Sequence, residues 1–183
     1  YELSPRIPEG SVMHYAILNS LRAWSFFETP NTVRGYSNVG GFGIDGNISA
    51  LIGASLYNKD RLYFGIIGDL AFFYDMNTLG NRHVGKNVRI LLVNNGKGME
   101  FRNYTHPASR FSDVLVDQYM DGAGHFGQKS ISLVRHYAED LGCEYLTASC
   151  KVSFSKNVER FLIPEITDKP MILEVLQNKL MRM

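Results

Sequence analysis

Short apolar segments alternate with amphipathic ones along this chain. Leu62 to Ile67 and Val88 to Val93 are almost continuously apolar, which is the pattern of strands buried on both faces of a parallel sheet. Ser11 to Leu18 and Met171 to Leu176 have a similar character, and Glu144 to Thr147 predicts a shorter strand. The chain therefore contains several candidate strands for one buried sheet.

Apolar residues recur at helical spacing between these strands. Three sets of them each fall on one helical face: Ile44, Ile48, Leu51, Ile52 and Leu56; Phe72, Phe73, Met76 and Leu79; and Ile131, Val134, Ala138 and Leu141. Further helices are predicted over Leu21 to Glu28 and Val152 to Phe161. The alternation of strands and helices predicts an α/β fold, a three-layer α/β/α sandwich on a mainly parallel sheet.

The composition is that of an ordinary globular domain. The chain has 183 residues, of which 45% are apolar and 20% charged, so it can form one domain with a sizeable core. Tyr1 to Gly10 is polar, contains two prolines and shows no periodicity, and we interpret it as the end of a linker. Residues 11–183 are then a single domain, which we expect to be the C-terminal part of a longer enzyme.

Charge and targeting signals exclude several classes of protein. The formal net charge is +1 and no block of basic residues is present, so nucleic acid is not an expected partner. The sequence shows no signal peptide and no apolar run of membrane-spanning length, so we expect a cytoplasmic protein with no membrane contact. Cys143 and Cys150 match neither metal-binding nor redox spacing, and we expect reduced, structural thiols.

Polar residues follow two of the predicted strands. Gly68-Asp69-Leu70-Ala71 comes directly after the strand that ends at Ile67, and Asn94-Asn95-Gly96-Lys97-Gly98 comes after the strand that ends at Val93. Because one crossover helix separates them, both occupy the carboxyl edge of the sheet, where ligands bind in open α/β folds. Aspartate and asparagine supply oxygen ligands for Mg²⁺, and N–H groups at a helix start can bind phosphate. The sequence therefore predicts a magnesium diphosphate site.

A glycine-rich turn from Gly40 to Gly46 raises an alternative. Residues 41–46 spell the G-x-G-x-x-G pattern of dinucleotide-binding folds, and Asp69 lies near the distance expected for their ribose-binding acid. An NAD(P)-binding oxidoreductase domain is therefore a second hypothesis. However, the polar segment Thr32 to Val39 before these glycines can form at most a brief strand, and this hypothesis gives Asn94-Asn95 no role.

Residues 99–128 show no clear periodicity and contain several glycines. A segment of that length in a compact domain is expected to be a functional loop or a mobile lid. His106 and His125 lie in it and are the best candidates among the histidines for contact with a substrate. No histidine has close ligand spacing to another histidine, a cysteine or a carboxylate, so a histidine metal centre is not predicted.

The two strand-end motifs together resemble the signature of thiamine-diphosphate-dependent enzymes. In that signature Gly-Asp-Gly, or a variant of it, precedes a double asparagine, as Gly68-Asp69-Leu70 precedes Asn94-Asn95 here. The resemblance is greatest to the C-terminal diphosphate-binding domain of the menaquinone-pathway synthases, which join 2-oxoglutarate to isochorismate, and it covers about Ser11 to Phe101. Further segments match these synthases in the same order: Asn19-Ser20-Leu21, Ser37-Asn38, Gly43-Ile44-Asp45-Gly46 and Tyr74-Asp75-Met76-Asn77.

The resemblance implies thiamine diphosphate and Mg²⁺ as cofactors. Asp69, the Asn95 side chain and the Lys97 carbonyl would hold the metal. The other implied cofactor contacts are Ser20 on the thiazolium side, the Phe42 carbonyl at the aminopyrimidine, Ile44 inside the bend of the cofactor, and Gly68, Leu70 and Ala71 at the diphosphate. The implied activity is that of a decarboxylase or carboligase acting on a small 2-oxo acid, with the cofactor as electron sink.

Three positions depart from the pattern of those synthases. Val39 stands where they have an arginine after Ser-Asn, and Arg22 matches their arginine after Asn-Ser only out of register. Glu100 stands where the family tends to be apolar. Ser20 and Arg22 remain the candidates for facing the substrate. Because bidentate carboxylate recognition needs arginine in a fixed place, the donor or acceptor is expected to differ from that of the synthases.

In this family the glutamate that activates the aminopyrimidine belongs to a separate pyrimidine-binding domain, across a subunit interface. The resemblance therefore implies that this chain is catalytically incomplete and pairs with such a domain of the same or another chain. It also implies a homo-oligomer, a dimer or a tetramer. A third hypothesis is a non-catalytic module that keeps the fold in order to bind a partner.

Overall fold

The computed structural model describes residues 1–41, 43–120 and 130–177. The strands are β1 (Val12–Tyr15), β2 (Arg34–Ser37), β3 (Tyr63–Gly68), β4 (Val88–Asn94), β5 (Glu144–Ala148) and β6 (Met171–Leu176). The α-helices are α1 (Asn19–Trp24), α2 (Asn47–Ser55), α3 (Asp69–Asp75), α4 (Asp113–Tyr119), α5 (Leu133–Asp140) and α6 (Lys151–Phe161). Short 3₁₀ turns lie at Ser4–Arg6, Met76–Gly80, Met99–Arg102 and Pro107–Arg110.

The strands form one six-stranded sheet in the order β2-β1-β3-β4-β6-β5, and every neighbouring pair is parallel. One face is covered by α2, α3 and α5, whose core residues include Ile48, Leu51, Phe72, Val134 and Ala138. The other face is covered by α1, α6 and the N-terminal segment, through Leu3, Ile7, Trp24, Val158 and Phe161. The predicted α/β/α sandwich is thus confirmed. No helix within the described ranges has both the length and the apolar character needed to cross a bilayer.

The N-terminal segment packs against the domain. Leu3 and Ile7 are buried in the same cluster as α1 and α6, and the Ser4 hydroxyl donates a hydrogen bond to the Glu28 carbonyl. The segment that we interpreted as the end of a linker therefore completes one face of the sheet, because Leu3 and Ile7 pack beside β1.

Two local predictions need correction. Residues 99–128 are not free of regular structure, because they include α4, which Ser112 caps by accepting the Leu115 N–H at 3.4 Å. This helix buries only Val116, so it lacks the apolar stripe that a sequence pattern can reveal. Ile131 and Leu141, predicted on the inner face of α5, are exposed because they lie outside the helix that Val134 and Ala138 anchor.

Arg89 is a fully buried charged residue at the start of β4. Its guanidinium donates to the carbonyls of Phe161, Ile163 and Glu165 at 2.8, 2.5 and 2.6 Å and lies 5.5 Å from the centre of the Phe64 ring. Burial lowers the pKa of Arg89 to about 10, which still leaves it charged at neutral pH. Arg89 therefore fixes the segment that leads from α6 to β6.

The order of the strands opens a crevice between β1 and β3. The chain leaves β1 through α1, which packs on one face of the sheet, and leaves β3 through α3, which packs on the other. The two connections diverge, and a space remains between the carboxyl ends of these neighbouring strands. Such a switch point is where ligands bind in α/β sheets.

Phe72 tests the packing of α3 on the sheet. Replacing this fully buried side chain with alanine removes apolar contacts and leaves a cavity, so Phe72→Ala should lower the free energy of unfolding by about 3–5 kcal/mol in urea denaturation. Tyr74 lies on the same helix with 66% of its surface exposed, and Tyr74→Ala should change stability by less than about 0.5 kcal/mol. Equal losses for the two variants would contradict this packing.

His14 should make stability depend on pH. Burial in β1 lowers the pKa of His14 below the ordinary 6.5, although a side-chain contact with Asn38 opposes the shift. The unfolded chain takes up a proton at about pH 6.5 and the folded chain only at lower pH, so the free energy of unfolding should fall as the pH drops below about 6.5. In urea denaturation at about pH 7.5 and 5.5, His14→Gln should show a smaller fall, and an unchanged fall would assign the effect to other groups.

Candidate active site

A cavity of about 1260 Å³ lies at the carboxyl edge of the sheet, over the crevice between β1 and β3. Most of its lining comes from the segments that follow β1, β3 and β4. The cavity is lined by eight of the residues proposed from the sequence: Ser20, Ile44, Gly68, Asp69, Leu70, Ala71, Asn95 and Lys97. Phe42 lies outside the described residues. Arg22 does not line the cavity.

Asp69 joins the ends of the two central strands. It is the first residue of α3, directly after β3, and only 4% of its surface is exposed. Its Oδ2 accepts the Gly96 N–H at 2.5 Å, and its Oδ1 accepts the N–H of Leu70 at 2.8 Å. Since Gly96 follows β4, this carboxylate holds the loop after β4 against the loop after β3.

The turn after β4 has a defined shape. The Asn95 Oδ1 accepts the Lys97 N–H at 2.9 Å, which is an Asx turn. Gly96 adopts a φ of 75°, a conformation that glycine reaches without steric cost. Asn95 and Lys97 of this turn line the same cavity as Asp69.

These groups suit a hard cation. A carboxylate, an amide oxygen and a peptide carbonyl are oxygen donors of the kind that Mg²⁺ prefers, and Mg²⁺ in proteins commonly completes its shell with phosphate oxygens and water. Both Asp69 oxygens accept hydrogen bonds from backbone N–H groups, and a carboxylate oxygen can also bind a metal ion. Across the described ranges, no three side chains of His, Cys, Asp or Glu gather into a metal centre, so protein carboxylates alone would not complete such a site.

One backbone N–H group at the start of α3 has a different partner from the one expected. The Leu70 N–H, which the family resemblance assigns to a diphosphate, donates to the Asp69 carboxylate. The first N–H groups of a helix have no partner within the helix. A diphosphate bound here would therefore compete with Asp69 for the Leu70 N–H, and a metal on Asp69 would favour that exchange by drawing the carboxylate away.

Leu18 marks a strained bend before the Ser20 position. Its φ is 66°, which is unfavourable for a bulky residue other than glycine, and strained residues of this kind cluster at functional sites. The bend lies between β1 and α1, and it turns Asn19 and Ser20 into the lining of the cavity.

A buried polar network behind the site was missed from the sequence. Glu174 on β6 is fully buried; its Oε1 accepts from Asn94 Nδ2 at 2.6 Å, and its Oε2 accepts from the Tyr145 hydroxyl at 2.5 Å. Burial, followed by the bond to Glu174, raises the pKa of Tyr145 above its ordinary value, which keeps the hydroxyl a donor. The signal for this network was a glutamate within the apolar run Met171 to Leu176.

Helix α4 is fastened to the turn after β4 by charge pairs. Lys97 Nζ lies 2.5 Å from Asp117 Oδ1, and Arg102 pairs with Asp117 and, at 2.6 Å, with Asp113. Because Lys97 and Arg102 line the cavity, these pairs hold α4 beside it.

Arg22 and Glu100 form one ion pair. Arg22 Nη1 and Nη2 donate to Glu100 Oε2 and Oε1 at 2.5 and 3.1 Å, so the pair is bidentate, the stronger arrangement for arginine and carboxylate. It connects α1 with the turn after β4. Two of the positions that depart from the synthase pattern therefore contact each other, and Glu100 lines the cavity whereas Arg22 does not.

Of the histidine candidates, His106 lines the cavity. Its Nδ1 accepts the Ala108 N–H at 3.1 Å, and its ring contacts Phe101 edge-on at 5.3 Å. His125 lies outside the described residues. His106 is therefore positioned to reach a ligand through Nε2.

The glycine-rich turn follows β2, which is the edge strand of the sheet and is largely exposed. The turn is held by the Asn38 amide, which donates to the Gly46 carbonyl at 3.1 Å, and it carries Ile44 to the cavity. A dinucleotide fingerprint belongs beside the switch point, and here β1 separates β2 from β3.

Comparisons with known proteins agree on one family. The family model described as "Thiamine pyrophosphate enzyme, C-terminal TPP binding domain" matches residues 19–175. Proteins named 2-succinyl-5-enolpyruvyl-6-hydroxy-3-cyclohexene-1-carboxylate synthase are 34% identical over 175 residues in Bacteroides fragilis and 39% identical over 174 residues in Christiangramia forsetii. The alignments cover 94% and 95% of this chain but only 29% and 28% of those relatives. This chain therefore spans less than a third of their length.

A solved structure shares the fold. It is the thiamine diphosphate-dependent 4-hydroxybenzoylformate decarboxylase of Rhodococcus jostii RHA1, with a TM-score of 0.70 and 22% sequence identity over 94% of this chain and 30% of that one. At 22% identity this similarity supports the assignment of the fold alone.

The Glu174 network should contribute to stability. Glu174→Ala leaves the Asn94 amide and the Tyr145 hydroxyl without their acceptor, so urea denaturation should show a loss of about 1–3 kcal/mol for each buried donor. Glu174→Gln keeps a carbonyl acceptor and should lose less. Glu159 forms a surface pair with Arg6, and Glu159→Ala should lose less than about 1 kcal/mol; equal losses for Glu174→Ala and Glu159→Ala would contradict the role of the network.

Proposed function

This chain belongs to the thiamine pyrophosphate enzymes as their C-terminal TPP-binding domain, and from that premise we propose that it binds Mg²⁺ and the diphosphate of this cofactor in a 2-oxo-acid decarboxylase or carboligase. The observation that carries the proposal is the contact between Asp69 and the Gly96 N–H. This contact places the carboxylate beside the turn that carries Asn95 and Lys97.

The metal would be held by oxygen atoms from both strand ends. Asp69 contributes a carboxylate oxygen, Asn95 its amide oxygen and Lys97 its backbone carbonyl, and diphosphate oxygens with water complete the shell. The N–H groups of Leu70 and Ala71, after Gly68, face the diphosphate at the start of α3. The buried pair of Asn94 and Glu174 supports this arrangement from behind, since it fixes the end of β4.

The rest of the cavity would hold the organic part of the cofactor and the substrate. Ile44 supports the bend of the cofactor, the Phe42 carbonyl accepts from its aminopyrimidine, and Ser20 faces the thiazolium and the substrate. When bound, thiamine diphosphate supplies an electron sink for the loss of CO₂ from a 2-oxo acid. The lining of the cavity would exclude water and orient the substrate.

The remaining catalytic group would come from another domain. This chain covers 29% of its Bacteroides fragilis relative, and we propose that a pyrimidine-binding domain, in the same or another polypeptide, supplies the activating glutamate. We call this combination the assembled enzyme, and expect it to be a homo-oligomer. Such a partner could reach the cavity along the partly exposed segments that follow β1 and β4.

The alternative of a nicotinamide-binding domain has weaker support. The fingerprint glycines follow the exposed edge strand β2, whereas Asp69, the acid that this hypothesis needs near a ribose, is tied to Gly96 on the other side of β3. A non-catalytic partner module would keep the fold without any need for Asp69 and Asn95 in one cavity.

Cofactor binding should depend on Asp69. For the assembled enzyme, Mg²⁺ with thiamine diphosphate at about 100 times the dissociation constant should add about 2.7 kcal/mol of stability, measured as a rise in melting temperature. Asp69→Ala should remove most of this rise because it deletes a metal ligand, and chelation of Mg²⁺ should have the same effect on the parent protein.

Asp60 supplies the control, because it is an exposed aspartate away from the cavity, and Asp60→Ala should keep the full response. A response that survives in Asp69→Ala would contradict the proposed metal site. A rise with NAD(H) that needs no Mg²⁺ and is lost in Gly43→Ala would instead support the nicotinamide hypothesis.

A further inference from the structure

The side of the cavity next to Ser20 presents a negative charge. Of the two residues in the bidentate pair, Glu100 lines the cavity and Arg22 lies outside it. The Arg22 side chain is 49% exposed and the Glu100 side chain 21%, so Glu100 is the more enclosed partner. A substrate that enters beside Ser20 would meet a carboxylate rather than a guanidinium.

The other basic side chains that line the cavity also have acidic partners. Among the described residues these are Lys97, paired with Asp117 at 2.5 Å; Arg102, paired with Asp113 at 2.6 Å; and Lys151, 3.7 Å from Glu2. Glu2 itself lines the cavity. Within the described part of the chain, each lysine or arginine of the lining therefore already has a carboxylate partner.

The neighbours of Ser20 and Glu100 in this lining are mainly apolar. Ala23, Trp24 and Phe27 follow Ser20 along the chain, and Met99 and Phe101 flank Glu100; all of them line the cavity. An apolar surface of this kind accepts a hydrocarbon or aromatic group, because burial removes that group from water. A charged group would lose its hydration there, and a carboxylate would have to compete with a protein carboxylate for any lysine or arginine of this lining.

We propose that Glu100 determines substrate specificity, so that the site accepts 2-oxo acids with an uncharged, apolar side chain and rejects those with a second carboxylate. The proposal rests on the proposed function of this cavity. It gives the Arg22–Glu100 pair a role in selection: Arg22 orients the carboxylate of Glu100, and Glu100 repels a carboxylate at the far end of the substrate. Like charges brought together in a partly desolvated site are a strong source of discrimination.

The test compares two substrates of similar size in the assembled enzyme. The value of kcat/KM for 4-methyl-2-oxopentanoate should exceed that for 2-oxoglutarate by about tenfold or more, since each factor of ten needs only a small difference in free energy. Glu100→Gln removes the repulsion and releases Arg22, and it should move the ratio toward 2-oxoglutarate by about tenfold. Arg22→Gln removes the partner that orients Glu100 but leaves its charge in place, so the preference should become smaller without reversing.

A binding measurement tests the same claim without turnover. In isothermal titration, the non-reacting acid 4-methylpentanoate should bind more tightly than glutarate, and Glu100→Gln should tighten glutarate binding selectively. Glu139 forms a surface ion pair with Arg135 on α5, away from the cavity, so Glu139→Gln is the matched control and should leave both ratios unchanged.

The possible results distinguish a failure of the Glu100 proposal from a failure of the proposed function. A parent enzyme that prefers 2-oxoglutarate and glutarate, or a Glu100→Gln variant with unchanged ratios, would overturn the role of Glu100. Absence of any response to Mg²⁺ with thiamine diphosphate would overturn the proposed function instead, and the binding ratios of the two non-reacting acids would still decide whether Glu100 excludes a second carboxylate.

Discussion

The architecture of the candidate site depends on the hydrogen bond between the Asp69 carboxylate and the Gly96 N–H. A nearly buried carboxylate is costly unless its oxygens are satisfied, and here backbone N–H groups from both strand ends satisfy them. The same contacts, which involve only protein groups, hold the ends of β3 and β4 together. The site is in this sense preorganised, so that binding would exchange existing hydrogen bonds for metal and phosphate contacts and would not have to assemble the loops.

Register in the sheet extends this constraint into the core. Asn94 pairs with β6 in the parallel ladder, where it lies opposite Leu176, and its side chain donates to Glu174. Because a buried network is stabilising only when every member has a partner, a shift of β4 against β6 would leave Asn94, Glu174 and Tyr145 unsatisfied. The polar network therefore resists movement of the strand that carries Asn95, and stability and ligand geometry depend on the same contacts.

Much of this fold can be read from local sequence patterns. Strands such as Tyr63–Gly68 and Met171–Leu176 are predictable because burial on both faces demands continuous apolar runs. The meeting of Asp69 with the Asn95 turn is predictable because parallel strands place their carboxyl ends at one edge. Helix α4 is not, since a helix with a single buried residue leaves no periodic signal. The role of Glu174 is not predictable either. Its carboxylate oxygens accept hydrogen bonds from residues on two other strands, and these contacts exist only in the folded sheet.

The Arg22–Glu100 pair shows how long-range contacts change the meaning of single positions. In the sequence these residues are 78 positions apart, and they look like two independent departures from the synthase pattern, one a displaced arginine and the other a charge at an apolar position. In the fold they are one bidentate ion pair at the rim of the cavity. An arginine that binds a protein carboxylate in this way has one edge of its guanidinium engaged, so a substrate carboxylate would compete with Glu100 for that edge. The displaced arginine and the added glutamate are therefore one structural feature, and the proposed preference for an apolar substrate depends on both of them.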